Sequence, residues 1–268
     1  MIAKIRLIVA DVDGCLTEER VTAFNLPLLM KVREFNHKAA VKPSLIPLVT
    51  LCTGRPQPYV EALLKIIDAS VPAICENGGM LYDFRENRYI RVNAFNAEWE
   101  ARLQRLKTQI VTEILPRVPA DIQPGKETHL TLISPTHQDI LITAEMVQQR
   151  LNSELQAFTM SITENCLNLV PDIFDKGTAL QQLSNMVQIP LSQMAAVGDT
   201  AGDLSFLKLA AYPMCPANAL PEVKAICGYV AEESYTAGLI EIIEKCVAIN
   251  KKSKIVDGKM VTGGSYPS

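Results

Sequence analysis

Asp11 and Asp13, separated by one valine in "LIVADVDGCLT", are the first residues whose type and spacing could carry chemistry. Along an extended segment successive side chains alternate, so both carboxylates face one side while Val12 points away. Three features of similar character follow: Thr53-Gly54-Arg55, Lys176 in "DKGTAL", and Asp199 with Asp203 in "GDTAGDLSF". Each alone has an ordinary explanation. D-x-D-G suits a turn, Thr53 a helix N-cap, Lys176 a solvated first-turn lysine, and Asp199 a turn residue. The set is harder to explain in that way. Its aspartates suit a hard, oxygen-liganded ion such as Mg²⁺, but a metal alone requires neither Thr53 nor Lys176. A phosphoryl group requires both: the Thr53 hydroxyl and the amides at Gly54 can donate to its oxygens, and Lys176 can offset its charge. Arg55 could help hold an anionic part of the substrate or pair with an acid on the next helix.

These residues need a scaffold that brings them to one edge. The apolar run Ile5 to Ala10 reads as a strand buried on both faces of a parallel sheet, with the carboxylates at its C-terminal end, where open α/β sheets bind ligands. Further buried-strand signals lie at 46–53, 71–78, 193–199, 210–215 and 228–232. Apolar residues at three- and four-residue spacing predict helices over 25–39, 57–68, 177–188, 202–209, 219–226 and 236–249. This alternation predicts a doubly wound, mostly parallel α/β sheet.

Between about 81 and 171 the texture changes. "MLYDF" and "RYIRVNAF" flank a polar turn like a hairpin, a long amphipathic helix follows over 97–115, then "HLTLIS", a helix at 143–157, and strands in "FTMSI" and "CLNLVP". The pattern predicts an inserted α+β cap domain over 81–171, with the core domain formed by 1–80 and 172–250; a moving lid is one natural use of such an insert. Residues 251–268 are polar and read as a flexible tail.

Composition excludes other classes. The chain has 268 residues, net charge −3, seven cysteines and three histidines. No apolar stretch approaches the roughly 18 residues of a membrane span, and the charge argues against general nucleic-acid binding. The scattered cysteines, with no C-x-x-C, read as reduced thiols, and the absence of H-x-x-x-H disfavours zinc hydrolysis. No secretory signal precedes the first strand, so the expected location is cytoplasmic. The oligomeric state is not encoded.

In these motifs the sequence resembles the haloacid dehalogenase superfamily of phosphohydrolases, whose four motifs match D-x-D-G-x-L-T, T-G-R, K-G-x-A-L and G-D-x-x-x-D in order. The position of the long insert, and "ENGG" at 76–79, resemble the subgroup with a type-two cap, which includes Cof-like sugar phosphatases, sucrose-phosphate phosphatases and archaeal-type phosphoglycolate phosphatases. The resemblance implies that Asp11 is the nucleophile, forming an aspartyl-phosphate, and Asp13 the acid and base. It implies Mg²⁺ held by Asp11, the main-chain oxygen of Asp13, and Asp199, with Asp203 as a ligand or close neighbour. Thr53, Gly54, Arg55 and Lys176 would then serve the phosphoryl group. Two positions depart from the pattern: Cys15 replaces a Thr not asked to do chemistry, and Gly202 replaces an Asn, which bears on the order of the metal loop.

The expected activity is thus a Mg²⁺-dependent phosphomonoester hydrolase acting on a small phosphorylated metabolite. A phosphosugar mutase of the same superfamily and a catalytically idle binding protein on the same fold are the alternatives. Lys126, Glu127, His129 and Arg91 are candidates for contacts to the leaving group, and His137, beside Pro135 and Asp139, reads as a loop residue. An acidic cap neighbourhood would fit a neutral sugar, whereas clustered basic residues would fit a carboxylated substrate such as phosphoglycolate.

Overall fold

In the computed structural model, which describes residues 4–18, 22–41, 44–92 and 95–259, the first strand is β1 (Leu7–Ala10). It explains why the leading run is apolar throughout. Leu7 and Val9 join one core cluster and Ile8 and Ala10 the other, so alternate residues enter opposite faces. The chain continues through α1 (Leu26–Ala40), β2 (Leu48–Leu51), α2 (Gln57–Ile66), β3 (Ala73–Cys75), β4 (Met80–Asp83) and β5 (Arg88–Arg91). Then come α3 (Ala97–Gln109), β6 (Asp121–Ile122), β7 (Leu130–Ile133), α4 (His137–Leu151), β8 (Phe158–Thr163) and β9 (Cys166–Pro171). The last third holds α5 (Lys176–Val187), β10 (Met194–Val197), α6 (Leu204–Leu209), β11 (Tyr212–Cys215), α7 (Pro221–Lys224), β12 (Tyr229–Val230) and α8 (Tyr235–Lys259).

Five strands form a parallel sheet in the order β12, β11, β10, β1, β2. Apolar residues of α1, α2 and α8 cover one face (Leu29, Val60, Leu239), and those of α5 and α6 cover the other (Leu180, Phe206). This is the doubly wound arrangement the alternating pattern requires. Parallel neighbours place the C-terminal ends of β1, β2 and β10 side by side, which brings Asp11, Thr53 and Asp199 to one edge.

An isolated parallel bridge between Cys52 and Ile74 joins β3 to this sheet. The hairpin β4–β5, assigned from its texture to the insert, is hydrogen-bonded antiparallel to β3. The inserted α+β unit has its own antiparallel sheet, ordered β6, β7, β9, β8, backed by Leu103, Leu106, Ile110, Ile140 and Val147 from its helices.

Several boundaries differ from the sequence expectation. The helix expected over 143–157 begins at His137, because the Thr136 side chain accepts a hydrogen bond from Asp139 N and caps it; His137 is therefore a first-turn residue and not a loop residue. The long helix expected to 115 is α-helical to Gln109 and widens into a π-helical turn at Ile110–Ile114. Periodicity also missed the short edge strand β6. Finally, α8 continues through 251–259, which had read as tail. Asn250, just before that extension, is buried and holds Ile5 N, Ile5 O and Leu45 O at 2.7–2.8 Å. Residues 260–268 lie outside the described residues. All seven cysteines are free, and among the described residues no helix is long and apolar enough to cross a membrane.

Candidate active site

The site is built around Lys176. Asp175 caps α5 by accepting from Thr178 N, so Lys176 is the first residue of the helix, and its side chain is buried. Its Nζ donates to Asp11 Oδ1 at 3.1 Å and to Asp203 Oδ1 at 2.6 Å. A solvated first-turn lysine would make neither bond. The two carboxylates hold the ammonium charged, well above its ordinary range, despite the opposing effect of burial.

Asp11 follows β1, where its N–H donates to Val197 O. Burial pushes its carboxyl well up; Lys176 opposes that rise, and Asp203, Asp199 and Asp13 add to it. Asp199 is raised to about 7 for the same reasons, burial first and Asp203 second. The mutual repulsion of these acids is the signature of a place that a cation would stabilise. One oxygen from each of Asp11, Asp199 and Asp203 falls within 4.8 Å of the others, a hard donor set of the kind divalent ions with oxygen preference accept.

The three acids are not equivalent. Asp203 Oδ1 is bonded to Lys176, while its Oδ2 accepts from Asp199 N and Thr200 N, both at 3.0 Å, and from Thr200 Oγ1 at 3.3 Å. Its first effect is to fix the loop that presents Asp199, and it completes a capping box with Thr200. At Gly202 a side chain would meet only Thr200 Oγ1 at 3.6 Å, so the packing does not require glycine there, and Asp203 supplies the bonds that hold the loop. Gly14, in contrast, is required. Its φ is +88°, and a Cβ would fall 2.1 Å from Asp199 Oδ2. Cys15, expected to be inert, places its Sγ 3.7 Å from Asp199 Oδ1 as a weak donor.

Asp13 lies beside this cluster with its carboxylate turned elsewhere. Arg55 Nε donates to its Oδ2 at 2.7 Å and Arg55 Nη2 to its Oδ1, a two-pronged ion pair. Arg55 in turn lies over the Tyr59 ring, 4.6 Å from its centroid. Its partner is thus the second aspartate of the motif, not an acid on the following helix. Tyr59, at the first turn of α2, carried no sequence signal for this role.

Thr53 is buried at the end of β2. Its hydroxyl oxygen accepts from Arg55 N at 3.1 Å, leaving the O–H proton to donate to a ligand, and Pro56 rather than Thr53 stands at the N-cap of α2. Among the cap candidates, Arg91 pairs with Glu127 and Glu100 at the surface, whereas Lys126 and His129 turn toward the core and Asn77.

Chemically, the arrangement offers a buried carboxylate, an adjacent second carboxylate, an ammonium and hydroxyl that can bind oxyanions, and a cluster that could hold a metal. Residues 104–243 match the model of the haloacid dehalogenase-like hydrolase family. A phosphoglycolate phosphatase of Methanothermobacter thermautotrophicus is 22% identical over 242 residues, covering 90% of this chain and 98% of that protein. One from Methanosarcina mazei is 25% identical over 247 residues, covering 90% and 96%. Among solved structures, a Thermoplasma acidophilum protein superposes with TM-score 0.70 at 22% identity over 91% of this chain and 99% of that one. A haloacid dehalogenase-like hydrolase from Bacteroides thetaiotaomicron does so with TM-score 0.63 at 19% identity over 90% and 99%. At such identities the structural likeness establishes the fold.

Proposed function

The chain belongs to the haloacid dehalogenase-like hydrolases, and on that premise we propose that it is a Mg²⁺-dependent phosphatase of small phosphorylated metabolites that works through an aspartyl-phosphate on Asp11. The observation that carries the reading is the Lys176 ammonium shared between Asp11 and Asp203 at the carboxyl edge of the sheet, beside Thr53 and the Asp13–Arg55 pair. The curated relatives named phosphoglycolate phosphatase support a phosphorylated acid as substrate.

In this mechanism the phosphoryl oxygens bind the Thr53 hydroxyl, the Gly54 amide and Lys176. Asp11 Oδ attacks phosphorus, the bond to the leaving oxygen breaks, and Asp13 gives that oxygen a proton. Asp13 then takes a proton from water, the water oxygen attacks phosphorus, and the P–O bond to Asp11 breaks. Arg55 holds both Asp13 oxygens in the two-pronged pair, so one of them must leave the guanidinium for the carboxylate to serve the leaving group and later the water. Lys176 favours the ionised form of Asp11, opposing the effect of burial. Asp11 and Asp199 would hold Mg²⁺, with Asp203 steadying the loop. Bound there, the ion would neutralise the phosphoryl oxygens and the acids that crowd them. The inserted unit that ends at residue 171 would act as the cap over this edge, with the β4–β5 hairpin on the core side through its pairing with β3.

The test is phosphate release from a panel of phosphorylated sugars and acids, with Mg²⁺ and with chelator, by wild type, Asp11→Asn and Asp13→Asn. Release that needs Mg²⁺ and drops by at least about 10³-fold in Asp11→Asn is expected. Undiminished release by that variant sinks the mechanism.

A further inference from the structure

The turn after β3, residues 76–79, meets three parts of the molecule that phosphoryl transfer needs in register. Glu76 and Asn77 have φ of +52° and +56°, the left-handed region that residues with side chains rarely adopt, and Gly78 follows at +95°. Such a run persists only where its surroundings hold it. Its amides grip the phosphate-binding loop: Glu76 N donates to Arg55 O at 3.2 Å and Asn77 N to Thr53 O at 3.1 Å. The Asn77 side chain packs on Gly54, where a Cβ would come 2.8 Å from Asn77 Oδ1. Gly78 lies against the start of α5, where a Cβ would fall 2.6 Å from Asp175 O and 3.2 Å from Lys176 N.

The third part is a loop of the inserted unit, residues 123–129. The Glu76 side chain is fully buried and reaches into it. Its Oε2 accepts from Thr128 Oγ1 at 2.7 Å, Thr128 N at 2.8 Å and Glu127 N at 3.0 Å, and its Oε1 accepts from Glu127 N at 3.2 Å. A Cβ on Gly79 would come 2.2 Å from Thr128 Oγ1, so the loop also packs on the far end of the turn. Burial pushes the Glu76 carboxyl up, while the bonds from Thr128 and Glu127 and the charge of Lys126 oppose that rise. His129 Nδ1 stands 3.8 Å from the same Oε2. One residue thus holds the loop with its side chain and the phosphate-binding loop with its backbone.

We propose that Glu76 is a positioning residue that ties the seating of the 123–129 loop to the phosphate-binding groups Thr53, Gly54 and Lys176, so that the inserted unit governs the binding of phosphate itself. The inference rests on the phosphatase reading and adds to it the residue through which the inserted unit reaches the oxyanion site. A shift of the Glu76 carboxylate moves its own N–H on Arg55 O and the next N–H on Thr53 O, one peptide from the Gly54 amide.

The test measures inhibition of p-nitrophenyl phosphate hydrolysis by inorganic phosphate, with Mg²⁺, below the thermal transition of each variant. Glu76→Gln keeps the shape and replaces one accepting oxygen by an NH₂ group that opposes the donors of residues 127 and 128. Thr128→Val keeps the shape and removes the hydroxyl whose one proton goes to Glu76. The phosphate inhibition constant should rise about 10- to 100-fold in Glu76→Gln and about 3- to 10-fold in Thr128→Val. The double variant should lie within about twofold of Glu76→Gln alone, because Thr128 acts through Glu76. A merely structural role lowers the fraction of folded enzyme, so kcat falls while KM and the phosphate inhibition constant stay at wild-type values; that result overturns the inference and leaves the phosphatase reading intact. Losses that multiply in the double variant also overturn it. Should Glu76→Gln fail to fold, Thr128→Val decides alone, and an inhibition constant equal to wild type overturns the inference. Absence of phosphate release by wild type overturns the phosphatase reading and this inference with it.

Discussion

Replacing Lys176 by methionine keeps most of the side-chain volume and removes the ammonium that Asp11 and Asp203 share. Removing one partner of a buried ion pair costs about 3–5 kcal/mol, and this lysine is bonded to two buried carboxylates. The upper end of that range, about 5 kcal/mol, is therefore expected at pH 8 in the absence of divalent ions. The sign of the pH dependence follows from the direction of the shift. Asp11 is already raised by burial with Lys176 opposing it, so the variant raises it further. An acid whose folded pKa lies above its unfolded value of about 4 binds a proton in the folded state first. Stability then increases as pH falls through that window, by about 1.4 kcal/mol per unit for each such group. The deficit relative to wild type should therefore shrink as pH falls from 8 to 5. Urea unfolding with chelator at pH 8, 6.5 and 5 measures it. A deficit below about 1 kcal/mol at pH 8, or one that does not change with pH, refutes the shared-ammonium account.

Asp199 raised to about 7 must lose its proton to ligate a metal, so apparent Mg²⁺ affinity should fall about tenfold per pH unit below 7; calorimetric titration at pH 5.5, 6.5 and 7.5 reads it, and a flat profile contradicts the ligand assignment. Asn250→Ala strands three backbone groups of residues 5 and 45 and should cost about 3 kcal/mol in urea unfolding, whereas a loss under about 1 kcal/mol would show that the start of β1 does not depend on α8. Thr136→Ala removes the N-cap of α4 and should cost about 1 kcal/mol; if helix α4 began near residue 143, the same change would be close to neutral.

Much of the fold was legible because buried parallel strands impose a coarse pattern. Leu7 to Ala10 must be apolar on both faces, and Cys166–Pro171 coincides with the strand read from "CLNLVP". The start of α4 was hidden because apolar periodicity is weak there. Its buried face includes Thr143 and Ala144, and the polar T-x-x-D cap was the signal that could have found it. Asn250 was illegible for a different reason: a polar residue in a helix reads as surface until α8 is known to lie against the start of β1. At the site, the residue types of Asp11, Asp13, Thr53, Lys176, Asp199 and Asp203 follow from the motifs, but the pairing of their charges depends on the tertiary arrangement. That Arg55 takes Asp13, that Asp203 spends both oxygens on Lys176 and the 199–200 amides, and that Tyr59 supports Arg55 are facts of three-dimensional proximity. "ENGG" carried a clue to Glu76 and Asn77 only as a turn; their contacts to residues 126–129 required the insert to be placed.

In the proposed mechanism phosphorus is transferred to Asp11 before water receives it. With p-nitrophenyl phosphate the leaving group needs no proton, so Asp13→Asn should still be phosphorylated and then stall, lacking the base that activates water. Acid quench, borohydride reduction of the acyl phosphate and mass spectrometry of the peptide read the site. Homoserine in place of Asp11, dependent on both substrate and Mg²⁺, is the expected result. An unmodified Asp11 alongside released p-nitrophenol, or reduction at any other carboxylate, would contradict the claim.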